Sequence, residues 1–160
     1  MQFKISKELL VQIEQLIHQK ADNELEILLN DMHHADIAEI FDELESEEAI
    51  YIFKILDSEI TAEILTELED DVREKLLRGL SAKEIAEELD ELDTDDAADI
   101  IAELPQSKKE EVISELEDVE HAKDIVDLLR YDEDSAGGLM GKELVKVNEN
   151  WNVLTCVKEM

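Results

Sequence analysis

Asp95 and Asp99 stand four residues apart in the segment TDDAADIIAEL. On an α-helix that spacing puts both carboxylates on one face, one turn apart. At about 6 Å, two such charges repel by roughly 1–3 kcal/mol for effective dielectrics between those of a protein surface and of water. On an isolated helix the pair only costs stability. A hard divalent cation removes the repulsion. Mg²⁺ suits the pair, because it usually keeps several waters and takes only one or two carboxylates. The other reading is a solvated face: Glu39/Glu43, Glu63/Glu67 and Glu87/Glu91 share the spacing, and 45 acids in 160 residues make such pairs by chance. Asp95 follows Thr94 in a first helical turn, where negative charge is favoured anyway. Asp99 lacks that reason. Spacing alone leaves both readings open.

Other chemistry is thinner. The chain contains no G-x-S-x-G, H-E-x-x-H, C-x-x-C or P-loop pattern, and an enzyme is not expected. His33 and His34 are adjacent, which suits a turn or helix start better than a metal site. His18 and His121 have no Cys or second His at ligand spacing. Cys156 reads as a small hydrophobe, and Tyr131 and Trp151 as packing residues.

Composition narrows the function further. The chain has 45 acidic and 15 basic residues and a formal charge of −30. Phosphate neutralisation needs clustered Lys and Arg, so neither nucleic acid nor an anionic membrane surface is an expected partner. A single Cys excludes a disulfide scaffold. No apolar run approaches the roughly 18 residues that a membrane span needs. High charge favours disorder, but 44% hydrophobic residues allow a core if they share a face.

They share one with a period of twelve. Leu44, Leu56, Leu68, Leu80, Leu92, Leu104, Leu116 and Leu128 are evenly spaced, and Met32 extends the series backwards. Three residues before them stand Phe41, Phe53, Leu65, Leu77, Leu89, Ile101, Ile113 and Ile125. An apolar i, i+3 pair marks one helix face, so each interval predicts one short helix and a connector. Ser46, Ser81, Thr94, Ser107 and Asp118 fall where N-caps belong. Ser81-x-x-Glu84 and Ser107-x-x-Glu110 read as capping boxes. A longer repeat spans 48 residues: DIAEIFDEL (36–44) matches EIAEELDEL (84–92) at six of nine positions, and SEEAIYIFKIL aligns with TDDAADIIAEL. Helices this short cannot bury their faces alone, but stacked neighbours can. The expected fold is all-α: a superhelical stack (an α-solenoid) of about ten short helices. Two lead, over 6–19 and 23–32, and about eight follow from 35 to 129.

After residue 130 the composition changes. YDEDSAGGLMG (131–141) reads as a loop, Glu143–Val147 as a short strand, and 151–160 as the start of a helix. We expect residues 1–130 to form the helical domain, 131–142 a linker, and 143–160 the first strand and helix of an incomplete α/β domain.

HHADIAEIFDEL, LDTDDAADIIAELP and above all YDEDSAGGLM resemble the cytosolic N-terminal region of MgtE-type magnesium transporters, as an ordered series covering nearly the whole chain. ELVKVNENWNVLTCVKEM resembles the start of a first CBS domain. The resemblance implies a homodimeric, multi-pass membrane protein whose cytosolic part senses Mg²⁺. Bound ions hold the N-terminal and CBS domains together and favour the closed pore. It assigns Mg²⁺ ligands to Asp95 and Asp99, to Glu63 in TAEIL, and to the backbone oxygen of Gly138. The implied partners are Mg²⁺ and the protein's own CBS and transmembrane domains, and each cation site is only part-formed by this chain. The alternative from composition alone is a cytosolic acidic α-solenoid adaptor for a basic protein.

Overall fold

The computed structural model describes residues 5–132, 135–143 and 147–159. Among them the helices are α1 Lys7–Gln19, α2 Asp22–Asn30, α3 His34–Glu43, α4 Ser46–Phe53, α5 Ser58–Glu67, α6 Asp70–Gly79, α7 Ala82–Leu89, α8 Thr94–Glu103, α9 Gln106–Glu115, α10 Val119–Leu128 and α11 Val153–Glu159. The expected two leading helices and eight short successors are α1–α10.

The twelve-residue leucines mark joints between helices. Leu44 (φ −92°, ψ 155°) ends α3 in extended backbone, and Glu45 (φ −68°, ψ 146°) starts α4 from another extended residue. Leu68 with Glu69, Leu80 with Ser81, and Leu104 with Pro105 repeat the device. Two successive extended residues stop one helix and redirect the chain into the next. Most of these leucines plug the joint from inside, with Leu56, Leu68, Leu80, Leu92, Leu104 and Leu128 buried. The residues three before them form the helix faces proper: Phe41, Phe53, Leu65, Leu77, Leu89, Ile101 and Ile125 are buried, and Ile113 packs at the edge.

From α3 to α10 the main packing is between a helix and its next neighbour but one. α3, α5, α7 and α9 form one row, and α4 with α6 and α8 with α10 lie in the other; α1 closes the near end against α2 and α4. Eight- to ten-residue helices are marginal in water. Burying a Leu, Ile or Phe side chain contributes about 1.5–3 kcal/mol, so the stack supplies what the single helix lacks.

Three of the five expected caps lie elsewhere. Ser81 does form its box: its hydroxyl accepts from Glu84 N–H at 3.2 Å, and the Glu84 carboxylate accepts from Ser81 N–H at 2.7 Å. Asp118 Oδ1 accepts from Glu120 and His121 N–H at 2.8 and 3.1 Å. Ser46, Thr94 and Ser107 lie inside their helices, because the turn starts one residue sooner at Glu45 and Asp93 and two sooner at Pro105, which are the N-caps. Pro105 has φ −59°, so α9 begins at Gln106, and the second expected box does not form. His33 has the helix-start role, its Nδ1 accepting from Ala35 N–H at 3.3 Å.

Beyond α10, the expected strand over 143–147 lies largely outside the described residues. The expected tail helix is α11, its first turn held by Asn152 Oδ1 accepting from Thr155 N–H at 3.0 Å. Cys156 is free and half-buried. No helix among the described residues is long and apolar enough to cross a membrane.

Candidate metal centre

The first turn of α8 is where the chain returns on itself. Thr94 is buried, and its N–H donates to Glu143 Oε1 at 2.8 Å. Its hydroxyl accepts from Lys142 N–H at 3.2 Å. A carboxylate from nearly fifty residues away thus satisfies the exposed N–H end of α8, where the helix dipole favours it. Lys142 points its ammonium to α10 instead, pairing with Asp127 and, at 3.6 Å, with Asp124. Asp127 holds that ammonium above its ordinary value, and the ammonium holds Asp127 below its own.

Gly141 leaves the space that this docking needs. A Cβ there would stand 3.1 Å from Glu143 Oε2 and 3.7 Å from Asp95 Oδ1, so the two carboxylates flank a missing side chain. Gly137 serves the same segment differently, since a Cβ would collide with the Tyr131 ring. Gly138 lies in the turn between them, its N–H donating to Ser135 Oγ at 3.1 Å.

Asp96 sits at the centre of the charge. The residue is exposed, and partial desolvation first, then Asp95, Asp93, Glu63 and Glu143, push its carboxyl above the ordinary range. Glu63, on α5, therefore lies within the field of the α8 acids. Burial also acts upward on Glu143, but the hydrogen bonds from Thr94 and neighbouring backbone outweigh it and leave that carboxyl lowered.

Asp99 is half-buried one turn further on, in the wall of a cavity of about 460 Å³ between α6 and α8. Asp96, Ile100 and Glu103 share its side of the cavity, and Asp70, Arg73 and Glu74 line the other. Arg73 crosses between them. Its Nη1 donates to Leu68 O at 2.7 Å and Leu65 O at 3.3 Å, its Nε to Glu103 Oε2 at 3.0 Å, and its Nη2 to Asp70 Oδ1 at 2.8 Å.

The structure thus gathers Asp95 and Glu63 about Asp96, sets Asp99 in the adjoining cavity, and leaves Gly138 in the segment that docks beside Asp95. Neither the spacing nor the resemblance points to Asp96 or Glu143. Asp96 was legible as the second acid of DDAAD; nothing local announced Glu143. Among the described residues, no group of three or more His, Cys, Asp or Glu is arranged to hold a metal ion. What α8 offers is a run of carboxylates in which Asp96 is held above its ordinary range by desolvation and by the acids around it; a hard cation such as Mg²⁺ takes only one or two carboxylates from a protein.

Residues 32–134 match the family described as MgtE intracellular N domain. The crystal structure of the soluble part of a magnesium transporter superposes with a TM-score of 0.82 at 23% identity, over 96% of this chain and 60% of that one. The cytosolic domain of the Mg²⁺ channel MgtE in complex with ATP gives a TM-score of 0.81 at 27% identity, over 94% of this chain and 61% of that one. The chain therefore spans about three-fifths of the length of these relatives. No curated protein sequence matches it.

Proposed function

Because the chain belongs to the MgtE intracellular N domain family, we propose that it is a Mg²⁺-responsive regulatory domain of a magnesium transporter, on the cytosolic side of the membrane. In this reading residues 1–130 are the sensing stack, 131–142 the linker, and 143–160 the start of a CBS domain. The observation that carries it is the field around Asp96, whose carboxyl is raised first by desolvation and then by Asp95, Asp93, Glu63 and Glu143. Asp95, Asp99 and Glu63, with the Gly138 carbonyl, supply half-sites. Acids of the CBS and transmembrane regions complete them.

At −30 this domain repels another acidic surface, and divalent ions between the two turn repulsion into contact. Each half-site is weak alone, because two carboxylates do not dehydrate Mg²⁺. A millimolar site is worth only about 4 kcal/mol. Several such ions still shift a two-state equilibrium if they bind the closed form better. Weakness keeps the sensor from saturating at cellular magnesium.

The test uses the full-length protein in limited proteolysis across a Mg²⁺ series. Mg²⁺ protects the 131–142 linker in the parent. Asp95→Ala with Asp99→Ala requires roughly tenfold more Mg²⁺ for the same protection, as expected when about 1.4 kcal/mol of ion binding is lost. Identical digestion of parent and variant would overturn the reading.

A further inference from the structure

Glu88 occupies a position that the rest of the fold treats as apolar. In the 48-residue repeat it stands where Ile40 stands in α3. Ile40 is fully buried, and Glu88 is only 8% exposed. The carboxyl lies between α7 and α5, where Oε2 meets the hydroxyl of Thr61, which is itself fully buried.

That hydroxyl also lies 3.1 Å from Asp57 O and 3.3 Å from Ser58 O. Both are carbonyl oxygens, which only accept. A threonine hydroxyl has one proton. Given to Glu88 Oε2, it supports an ionised carboxyl with one neutral donor; given to the α5 carbonyls, it leaves the bond between Thr61 and Glu88 to a proton from the carboxyl.

Among the described residues no cation comes to Glu88. The charged groups acting on it are Glu87 and Glu91, both acidic. On its own helix, Lys83 is held by Glu87 at 3.0 Å and Glu84 by Lys54 at 2.6 Å. On α5, Glu59, Glu63 and Glu67 are exposed. On α9, which packs on the other side of α7, Lys108 donates to Leu77 O and Leu80 O and Lys109 to Ala102 O, while Glu110, Glu111 and Glu115 are exposed.

We propose that Glu88 is a proton-operated joint of the stack: protonated, it lies neutral in the seam beside Thr61 and holds α7 against α5; ionised, it is a buried charge met by the neutral Thr61 hydroxyl and by no cation among the described residues, which loosens this pair of helices. Desolvation raises its pKa from 4.5 to about 7, with Glu87 and Glu91 adding to the rise and the Thr61 bond opposing it. The sign follows from linkage. Between pH 4.5 and about 7 the folded chain keeps a proton that the unfolded chain has lost. Stability from this group is therefore full below pH 4.5 and gone above about 7. The folding equilibrium constant changes roughly 100-fold across that window. Because α7 leads into α8 and α5 carries Glu63, opening the joint moves the two helices that bear the candidate cation ligands. The joint itself does not depend on Mg²⁺ binding.

Carbon-13 NMR of the Glu88 carboxyl in the whole chain reads the proton directly. A midpoint near 7 is expected, and one near 4.5 overturns the proposal. Denaturant unfolding at pH 5 and pH 8 gives the second readout, with the parent compared to Glu88→Gln and Glu88→Ile. The remaining acids are common to all three proteins, so their mutual repulsion cancels in the comparison. The parent should lose roughly 100-fold more in its folding constant than either variant; equal losses overturn the proposal.

Discussion

The two copies of the 48-residue repeat share a backbone and use their polar groups in opposite ways. In the first copy, α3 and α4, the carboxylates and the hydroxyl serve the fold. Glu48 reaches back to accept from Glu45 N–H at 3.2 Å, and the Tyr51 hydroxyl donates to Asp22 at the start of α2. In the second copy, α7 and α8, the corresponding residues are Asp96 and Asp99. Aspartate is one methylene shorter than the glutamate a capping box favours at that position. The N–H end of α8 is met instead by Glu143, and Asp96 stays in the combined field of four other acids. The contrast lies in the helix start: the first copy caps α4 with its own Glu48, whereas the second takes its acceptor for α8 from Glu143, 49 residues on, and leaves Asp96 among other acids.

The largest effect should come from separating the copies. Arg73 on α6 joins them: it binds the carbonyls that end α5 and the Glu103 carboxylate on α8, and its side chain is 11% exposed. Glu103 holds the guanidinium above its ordinary value. Arg73→Ala removes these bonds and leaves partners unsatisfied. The expected loss is about 1.5–3 kcal/mol, the range for hydrogen bonds to a charged group. Urea unfolding checks it, and hydrogen exchange should show the excess opening at the α6–α8 boundary. A uniform loss throughout the stack would remove the boundary from the comparison.

Much of this architecture is legible in the chain. The twelve-residue leucines and their apolar partners announce the helices, and HHAD the start of α3. The caps are less so, because Glu45, Asp57, Glu69 and Asp93 occupy the N-cap positions, the last three without a side-chain cap bond, in a sequence where acids stand almost everywhere. The site divides in the same way. Asp95, Asp99 and Glu63 could be named from motifs, whereas the bond between Thr94 and Glu143 joins residues 49 apart. No period in the sequence reports such a contact; it exists only once the linker folds back on α8.

A smaller effect tests the seam between α4 and α7. Glu84 takes the Lys54 ammonium at 2.6 Å and the Ser81 N–H at 2.7 Å. The Lys54 bond first, and the Ser81 bonds with it, lower its carboxyl from 4.5 to about 2. Its sign is opposite to that of Glu88. The unfolded chain takes up this proton first as acid is added, so the stability that Glu84 contributes is present above pH 4.5 and lost as pH falls toward 2. Glu84→Gln should flatten that acid limb while leaving the limb between pH 5 and 7 unchanged. Exposure of the pair, 45% for Lys54 and 37% for Glu84, keeps the effect modest through solvent screening. A Glu84→Gln profile that alters both limbs equally would mean the two groups do not act separately.

The smallest effect compares the two helix starts directly. Glu48→Ala removes a local acceptor from α4, and Glu143→Ala removes a distant one from α8. Losing a cap costs about 0.5–2 kcal/mol, typically near 1, so the two variants should lie close together in global stability. They should differ in what else moves. Glu48→Ala speeds exchange only at the first turn of α4. Glu143→Ala speeds exchange at Thr94 N–H and also at Lys142 N–H, because the segment that bears both contacts is released from α8. Removing Glu143 also takes one acid out of the field around Asp96, so the Asp96 carboxyl should titrate lower in that variant. If Asp96 titrates unchanged, the linker caps α8 without entering the charge cluster, and the second copy differs from the first only in where its cap comes from.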